Sequence, residues 1–528
     1  MTLPSTPSPG LRPNSPAVVA ELKMPAHVDV IVVGAGHNGL IAGAYLARAG
    51  RKVLVLEARD FPGGQLSGPR DGASFDAPAL YPAALVRSEV VRELELDRFG
   101  WQAPTAPGPY VTALPDGGVL HLASSATDAA TLESIRRLSS RDAARWPEFV
   151  AFMDRAAAFL DAAYATGMPR LPAVDWRAEG LPLAALGWKL RRLGRRDMFR
   201  VIRSLPMTAV EFTEEWFEAG PLKAALGALA VHGLTLGSMS AGGGYNFVHQ
   251  WLLRGGLGHR TGAGPQALGD ALVRAVQAHE GEVRTGAAVA QILVERQRAV
   301  GVRLVNGEEI RARTVVSAAD PRRTLLGLVG APELPPEFVW HTRSIRMRGS
   351  VAKVHVLTDG HHGLPAGTTV VAPTLQYLER AYDAAKYGEV STNPYLEATT
   401  HGVVVSIHFQ FAPYALRHED WTSARATVER RAVETLATHF PKFAASIREV
   451  RSITPPDLEQ QWGLTEGDLN HGQLILDQVF FMRPLPGWSS HATPIAGLYL
   501  CGSGVHGGGG ISGHPGRNAA RAILRHER

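Results

Sequence analysis

The sequence predicts an α/β fold in which a domain built on a βαβ unit is interleaved with a second, α+β domain of antiparallel sheet and helices. Three stretches predict it. Near the start, VDVIVVGAGHNGLIAGAYLARAGRKVLVLEARD reads as a buried strand, a glycine turn, a small-residue helix and a second buried strand. Near the end, GLYLCGSGVHGGGGISGHPGRNAARAIL reads as strand, long glycine loop and helix, so the chain returns to the first domain. Between them VVVSIHFQF alternates as a half-buried antiparallel strand does, which places 350–412 in a second sheet.

At 528 residues the chain exceeds what one hydrophobic core organises, so at least two domains are expected. With 45% hydrophobic and 20% charged residues, the balance is that of a globular chain. The single cysteine, Cys501, excludes an internal disulfide, a dithiol redox centre and a thiolate-rich metal site. Its place at the end of an apolar strand points to packing. The histidines follow no metalloprotease or zinc-finger spacing, so no metal is expected.

Residues 1–27 are rich in Pro and Ser and lack the plan of a signal peptide, so they read as a disordered tail, with Met24 as an alternative translation start. The βαβ unit begins at Val28. A helical, partly basic middle region follows, and after it 262–310 returns to helix and strand, with Pro265 suited to a first helical turn. Gly262 and Gly264 do not make a second nucleotide fingerprint, since no buried strand feeds them and a third glycine is missing. The first domain is expected to comprise 28–110, 260–330 and 490–528, and the second 111–259 and 331–489.

Between Lys189 and Arg203 stand seven basic residues and one acid, Asp197, although the whole chain carries only +5. Such a run fits an anionic surface, membrane lipid before nucleic acid because no nucleic-acid-binding fold accompanies it; a solvated helix face is the plain alternative. The longest uncharged stretch, 224–253, is broken by glycines and does not read as a membrane span. A cytoplasmic protein with peripheral contact at the inner membrane face is expected. Tyr245, Phe247 and Trp251 in that stretch line an apolar tunnel or belong to an ordinary core helix.

Gly34, Gly36 and Gly39 form G-x-G-x-x-G directly between a strand and a helix. The first permits the tight turn, the second lets the backbone approach a pyrophosphate, and the third packs helix on strand. An anion there meets the unpaired N–H groups and positive dipole of a helix start. Glu57, closing the second strand, stands where a carboxylate accepts hydrogen bonds from a ribose. A dinucleotide site follows from these residues.

Continuing through LEARDFPGG, the motif resembles the L-E-A-R-D-x-x-G-G of the monoamine-oxidase and phytoene-desaturase superfamily. The tail, with GQLILDQVFFMRPLPG before it, is similar to the flavin-dependent phytoene-desaturase-related family, which includes carotenoid desaturases and desaturase-type ketolases. The resemblance covers about a third of the chain in specific motifs. It implies non-covalent FAD, with Glu57 on the adenosine ribose, Arg59 beside it, and Gly63 and Gly64 bringing backbone close to the pyrophosphate. Gln65 stands where amine oxidases usually carry Arg. By the same resemblance Val289 contacts adenine through its backbone, Gly502 and Ser503 lie near the pyrophosphate or ribityl chain, and Ile511 and Ser512 lie near the isoalloxazine, where the following helix aims its dipole at the charge of reduced flavin.

His506 and His514 flank the expected flavin edge and are the acid or base candidates. With one nucleotide fingerprint and none for NAD(P)H, electrons are expected to pass from substrate to FAD and on to oxygen or a quinone. The resemblance implies dehydrogenation of a carotenoid or related long isoprenoid. The alternatives are a carotenoid ketolase, an oxidase of an amine or other small molecule, and an escort or GDP-dissociation-inhibitor-like binding protein; the intact fingerprint argues against the last.

Overall fold

The computed structural model describes residues 28–67, 89–102, 108–114, 117–169, 176, 180–259 and 264–527. The expected N-terminal tail lies outside the described residues. The strands are β1 (Val28–Val33), β2 (Val53–Leu56), β3 (Tyr110–Ala113), β4 (Val119–Leu122), β5 (Glu282–Arg284), β6 (Val289–Glu295), β7 (Arg298–Leu304), β8 (Glu309–Ser317), β9 (Val351–Thr358), β10 (Thr368–Val371), β11 (Tyr395–His401), β12 (Val404–Gln410), β13 (Ile447–Ile453) and β14 (Leu498–Leu500).

Seven strands form the first sheet, in the order β5-β2-β1-β8-β7-β6, with β14 also paired to β8. Its β5, β2, β1, β8 and β14 run parallel, while β6, β7 and the start of β8 form an antiparallel meander. Apolar residues point both ways from the parallel strands. Val53 and Val55 enter the core under the helices His37–Arg48, Gly264–Gln277 and His514–His526, and Leu54 and Leu56 enter the core on the other face. Burial on both faces is why these strands read as unbroken apolar runs.

The second sheet runs β13-β9-β12-β11-β10-β3-β4, antiparallel except where β10 meets β3. One face, with Val354, Val356, Val405 and Ile407, packs on the helix Trp421–His439. On the opposite face Lys353, His408 and Glu397 stand in cross-strand register, and all three are buried. Glu397 accepts from Arg254 Nη2 at 3.0 Å and Tyr395 Oη at 2.9 Å, and sits 2.6 Å from His259 Nε2. A buried carboxylate needs such partners.

The helices Ser140–Ala165, Ala209–Trp216, Gly220–Val231 and Gly243–Arg254 share the largest apolar core. Every residue of Gly243–Arg254 is buried. Phe247 and Trp251 both pack against the Phe149 ring, with centroids 6.1 and 5.9 Å away. For these two rings the core-helix reading applies, whereas Tyr245 turns toward Tyr164. Among the described residues no helix is long and apolar enough to cross a membrane.

Candidate dinucleotide site

The site begins where β1 stops. Gly34 adopts φ +94°, which an L side chain rarely takes, and donates its N–H to Leu56 O at 2.7 Å. The turn places Ala35 N–H 2.9 Å from Glu57 Oε2, so the carboxylate that ends β2 caps the glycine turn. Glu57 Oε1 accepts from the Arg59 backbone N–H at 3.1 Å. Gly36 is the N-cap of the helix His37–Arg48 and provides no side-chain cap, which leaves the first N–H groups for an anion. A Cβ at Gly39 would lie 2.1 Å from Gly34 O, so the helix packs on the turn at a distance only glycine allows.

A second glycine segment lies against the first. Gly63 N–H donates to Ala35 O at 2.8 Å, and a Cβ at Gly64 would come within 2.7 Å of Gly36 Cα. Arg59 fixes this segment by donating to Gly64 O at 3.0 Å, and its guanidinium stacks 4.7 Å from the Phe61 ring centroid. The result is a cradle in which the backbones of Gly36 and Gly64 meet at a distance that leaves no room for a Cβ on Gly64.

This cradle opens into a cavity of about 390 Å³, within the range of small-molecule sites. Of the residues singled out from the sequence, Gly34, Gly36, Glu57, Arg59, Gly64, Gln65, Val289 and Ser503 line it. Gly39 and Gly63 support its floor from behind, and Gly502, Ile511 and Ser512 belong to the tail loop beyond it. Gln65 lines the wall but spends its amide on Leu469 O, 2.8 Å away. Val289 opens β6 two residues beyond Ala287, whose N–H donates to the Glu57 backbone carbonyl at 2.8 Å, so this strand end is tied to the main chain of the residue that follows β2.

The tail enters through β14. Cys501 follows it, buried, its N–H given to Ser317 O and its thiol pushed up by burial, so it is a packing residue. Asn38 Nδ2 donates to Ser503 Oγ at 3.3 Å, which joins the first helix to the tail. Ser512 Oγ donates to Gly507 O at 2.9 Å, and Gly513 at φ +75° starts the helix His514–His526. A Cβ at Gly516 would lie 2.4 Å from Asn38 O, so this helix crosses the first at glycine contact. Arg517, buried, pairs with Glu89 and Glu93 and anchors the crossing.

Several residues of the site carried no recognisable signal in the sequence. His37 and Asn38 line the cavity with His37 Nε2 and Asn38 Oδ1 buried and unpaired. Burial, then the charge of His471, holds His37 at about 3, so the imidazole is neutral. Arg323, Trp462 and His471 reach the same cavity from distant parts of the chain. Arg483 is buried and, among the described residues, gives its guanidinium to carbonyls, including Ser503 O at 2.8 Å and Asn470 O at 2.6 Å, which clamps the tail to the segment before it.

Beyond the cavity the tail's glycines meet aromatic residues. Tyr164 Oη lies 2.6 Å from Tyr245 Oη and 2.8 Å from His249 Nδ1. His249 Nε2 is buried and unpaired, and a Cβ at Gly509 would stand 3.1 Å from it. Burial, with the charge of Arg483 added, lowers His249 to about 3. His506 Nε2 sits 3.0 Å from Ala163 O and His514 Nε2 sits 2.8 Å from Asp161 Oδ1, so both ring edges turn to the helix Ser140–Ala165. His506, like His249, is held near 3 chiefly by burial. Among the described residues no group of acids, histidines and cysteine is arranged to hold a metal.

A glycine turn open to an anion, an acid closing the second strand and a tail returning over the same sheet define a dinucleotide-binding oxidoreductase of the flavin type. Comparison with known proteins gives the family. Residues 189–524 match the model for flavin containing amine oxidoreductase, and 32–94 match an NAD(P)-binding Rossmann-like domain. The rat pyridine nucleotide-disulfide oxidoreductase domain-containing protein 2 is 32% identical, with 94% of this chain and 93% of that protein covered. A limonene dehydrogenase chain of Castellaniella defragrans is 26% identical over 94% of this chain and 93% of its own length. The lycopene-forming phytoene desaturase of a Paracoccus strain is 24% identical over 94% and 97%. A solved oxidoreductase from Methanosarcina mazei shares the fold, with TM-score 0.57, 16% identity, and 94% of this chain and all of that one covered.

The chain belongs to the flavin containing amine oxidoreductase family, in the branch related to phytoene desaturases. It is an FAD-dependent oxidoreductase that binds its cofactor without a covalent link. Although the rat relative's name speaks of a disulfide, this chain's one cysteine cannot close one. The residues present suit FAD: the glycine cradle leaves room for a pyrophosphate, Glu57 offers acceptor oxygens, and Asn38 Oδ1 and His37 Nε2 await partners.

Proposed function

We propose that this chain dehydrogenates an isoprenoid hydrocarbon or a similarly apolar substrate, taking a hydride from one carbon and a proton from its neighbour as a double bond forms. The observation that carries this reading is the wall beside the tail's glycine loop. Tyr164, Tyr245, Phe480, Leu253 and Leu474 make it aromatic and aliphatic, and the acids on the nearby helix are engaged, Asp161 with His514 and Asp154 with Trp251. With those two acids engaged, the wall presents mainly aromatic and aliphatic carbon, against which an apolar chain packs. Two relatives aligned over nearly the whole chain are named for isoprenoid hydrocarbons, limonene and phytoene.

We assign the cofactor contacts to the residues gathered at the cavity. Glu57 receives the ribose hydroxyls, with Arg59 beside it, and the backbone of Gly34, Gly36 and Gly64 receives the pyrophosphate. Val289 meets the adenine, Gly502 and Ser503 lie along the pyrophosphate or ribityl chain, and Ile511 and Ser512 lie at the isoalloxazine. FAD, when bound, accepts the hydride. His249 is our choice for proton acceptor over His506 and His514, whose Nε2 atoms are already engaged. His249 Nδ1 is engaged with Tyr164 Oη, and in the tautomer that carries its hydrogen on Nδ1 the Nε2 atom, which has no protein partner among the described residues, is the acceptor. Electrons then pass to oxygen or a quinone, and peripheral contact with a bilayer would bring an apolar substrate within reach.

The family model's own description favours a second reading, oxidation of an amine. Anaerobic mixing of the yellow holoprotein with isoprenoid hydrocarbons in liposomes, and separately with primary amines, distinguishes the two. Loss of flavin absorbance at about 450 nm with the hydrocarbon, together with a product carrying one more double bond, is expected. Bleaching by amines alone would replace the proposal with the second reading.

A further inference from the structure

We infer that the consecutive helices Gly180–Arg192 and Gly194–Ser204 form a docking surface for a bilayer containing anionic phospholipid, with aromatic side chains as anchors and arginines and a lysine as headgroup contacts. The inference goes beyond the oxidation proposed above and stands without it. No residue of Gly180–Arg192 is buried, which is unusual for a helix carrying four leucines and a tryptophan.

Large apolar side chains project from both helices: Leu181 is 79% exposed, Trp188 64%, Phe199 57% and Ile202 50%. Leu181 and Trp188 are two turns apart on one helix face, and Phe199 and Ile202 are neighbours one turn apart on the next. Exposed apolar clusters of this kind mark an interaction site. Cations lie among them, and they fall into two sets. Arg196 and Arg200 pair with Glu148, Arg155 with the buried Asp197, and Arg203 with Glu215. Lys189, Arg191, Arg192 and Arg195 are exposed and make no ion pair among the described residues. Arg195 precedes Phe199 by one turn, so cation and anchor share a face.

A water-facing helix needs no tryptophan. Four unneutralised cations interleaved with Trp188 and Phe199 match the interface of an anionic bilayer, where the indole sits at headgroup depth and the cations meet phosphate. Among the described residues, the acids in contact with these helices' arginines, Glu148, Asp197 and Glu215, are already paired.

The test uses the holoprotein and vesicles of phosphatidylcholine with or without about 30% phosphatidylglycerol, read by co-sedimentation; the anionic fraction sets the surface potential. Binding to the anionic vesicles is expected, with much less to the neutral ones and a steep loss in 1 M salt, where the screening length falls to about 3 Å. Replacing Lys189, Arg191, Arg192 and Arg195 together with Gln should weaken binding several hundredfold, at about fivefold per cation. The pair Trp188→Ser and Phe199→Ser should weaken it while leaving bound flavin and the circular dichroism spectrum unchanged, since both side chains are exposed. Equal binding to neutral and anionic vesicles, no binding at all, or wild-type binding by either variant would overturn the inference. So would dimerisation of the wild type, seen by sedimentation velocity, that the Trp188→Ser and Phe199→Ser pair abolishes, because it would assign the patch to a second copy.

Discussion

Replacing Gly36 with Ala separates the two jobs a fingerprint glycine can do, supporting the fold and admitting the cofactor. Gly36 has φ −69° and ψ 168°, an extended conformation any residue adopts. A Cβ there would find its nearest neighbour, Gly64 Cα, at 3.8 Å, an ordinary contact. The substitution should therefore change the stability of the flavin-free protein by less than about 1 kcal/mol, and in either direction. The added methyl would point into the cradle, where we place the pyrophosphate. Overpacking of a rigid wall typically costs about 1–3 kcal/mol, which is roughly 5- to 150-fold in FAD affinity.

Gly39→Ala is the control, because its Cβ would lie 2.1 Å from Gly34 O and must move backbone. It should destabilise the protein with or without FAD. Urea unfolding of the apoprotein and fluorescence titration with FAD give both quantities. A Gly36→Ala protein that binds FAD as tightly as wild type would refute the placement of the pyrophosphate. One that unfolds as readily as Gly39→Ala would refute the argument from its open surroundings.

Glu57→Ala should cost about 1–3 kcal/mol in the apoprotein, since the Ala35 N–H loses its acceptor, and should also weaken FAD binding, both measurable by the same titrations. Glu397→Gln should cost about 3–5 kcal/mol by leaving Arg254 buried without its carboxylate; urea unfolding at pH 7 reads it, and a loss under 1 kcal/mol would contradict the network's role. Burial alone would raise Glu93, but hydrogen bonds from Arg517 and Tyr45 overcome it and hold the carboxyl down at about 2. Because the folded value lies below the unfolded one of about 4.3, this group's stabilisation is fully present above pH 4.3 and is lost as pH falls toward 2. Glu93→Gln should therefore flatten the acid limb of stability in that window, and identical limbs would exclude the linkage.

The parts of this molecule legible in its sequence are those where backbone conformation dictates residue type. The turn at Gly34, the close approach at Gly39 and the glycine tail leave their mark because no other residue fits. Strands β1 and β2 read as apolar runs because helices cover both faces of their sheet. Side chains that meet only through tertiary structure left no such mark. Arg483 holds Ser503, and Tyr164 reaches Tyr245 and His249 from helices remote in the chain. Gln65 shows the limit of resemblance: it stands beside the cavity, yet its amide belongs to Leu469. The basic run was visible as net charge, but which cations are spoken for, and that Trp188 and Phe199 stand exposed among them, depends on where Glu148 and Glu215 fall.

That FAD is held without a covalent bond by the glycine cradle and the returning tail is tested most directly by heating the purified yellow protein, filtering off the precipitate and analysing the filtrate for flavin. About one FAD per chain in the filtrate, as expected of a cofactor held by hydrogen bonds and packing alone, is the predicted result. A colourless protein, or flavin that stays with the precipitated chain, would contradict it.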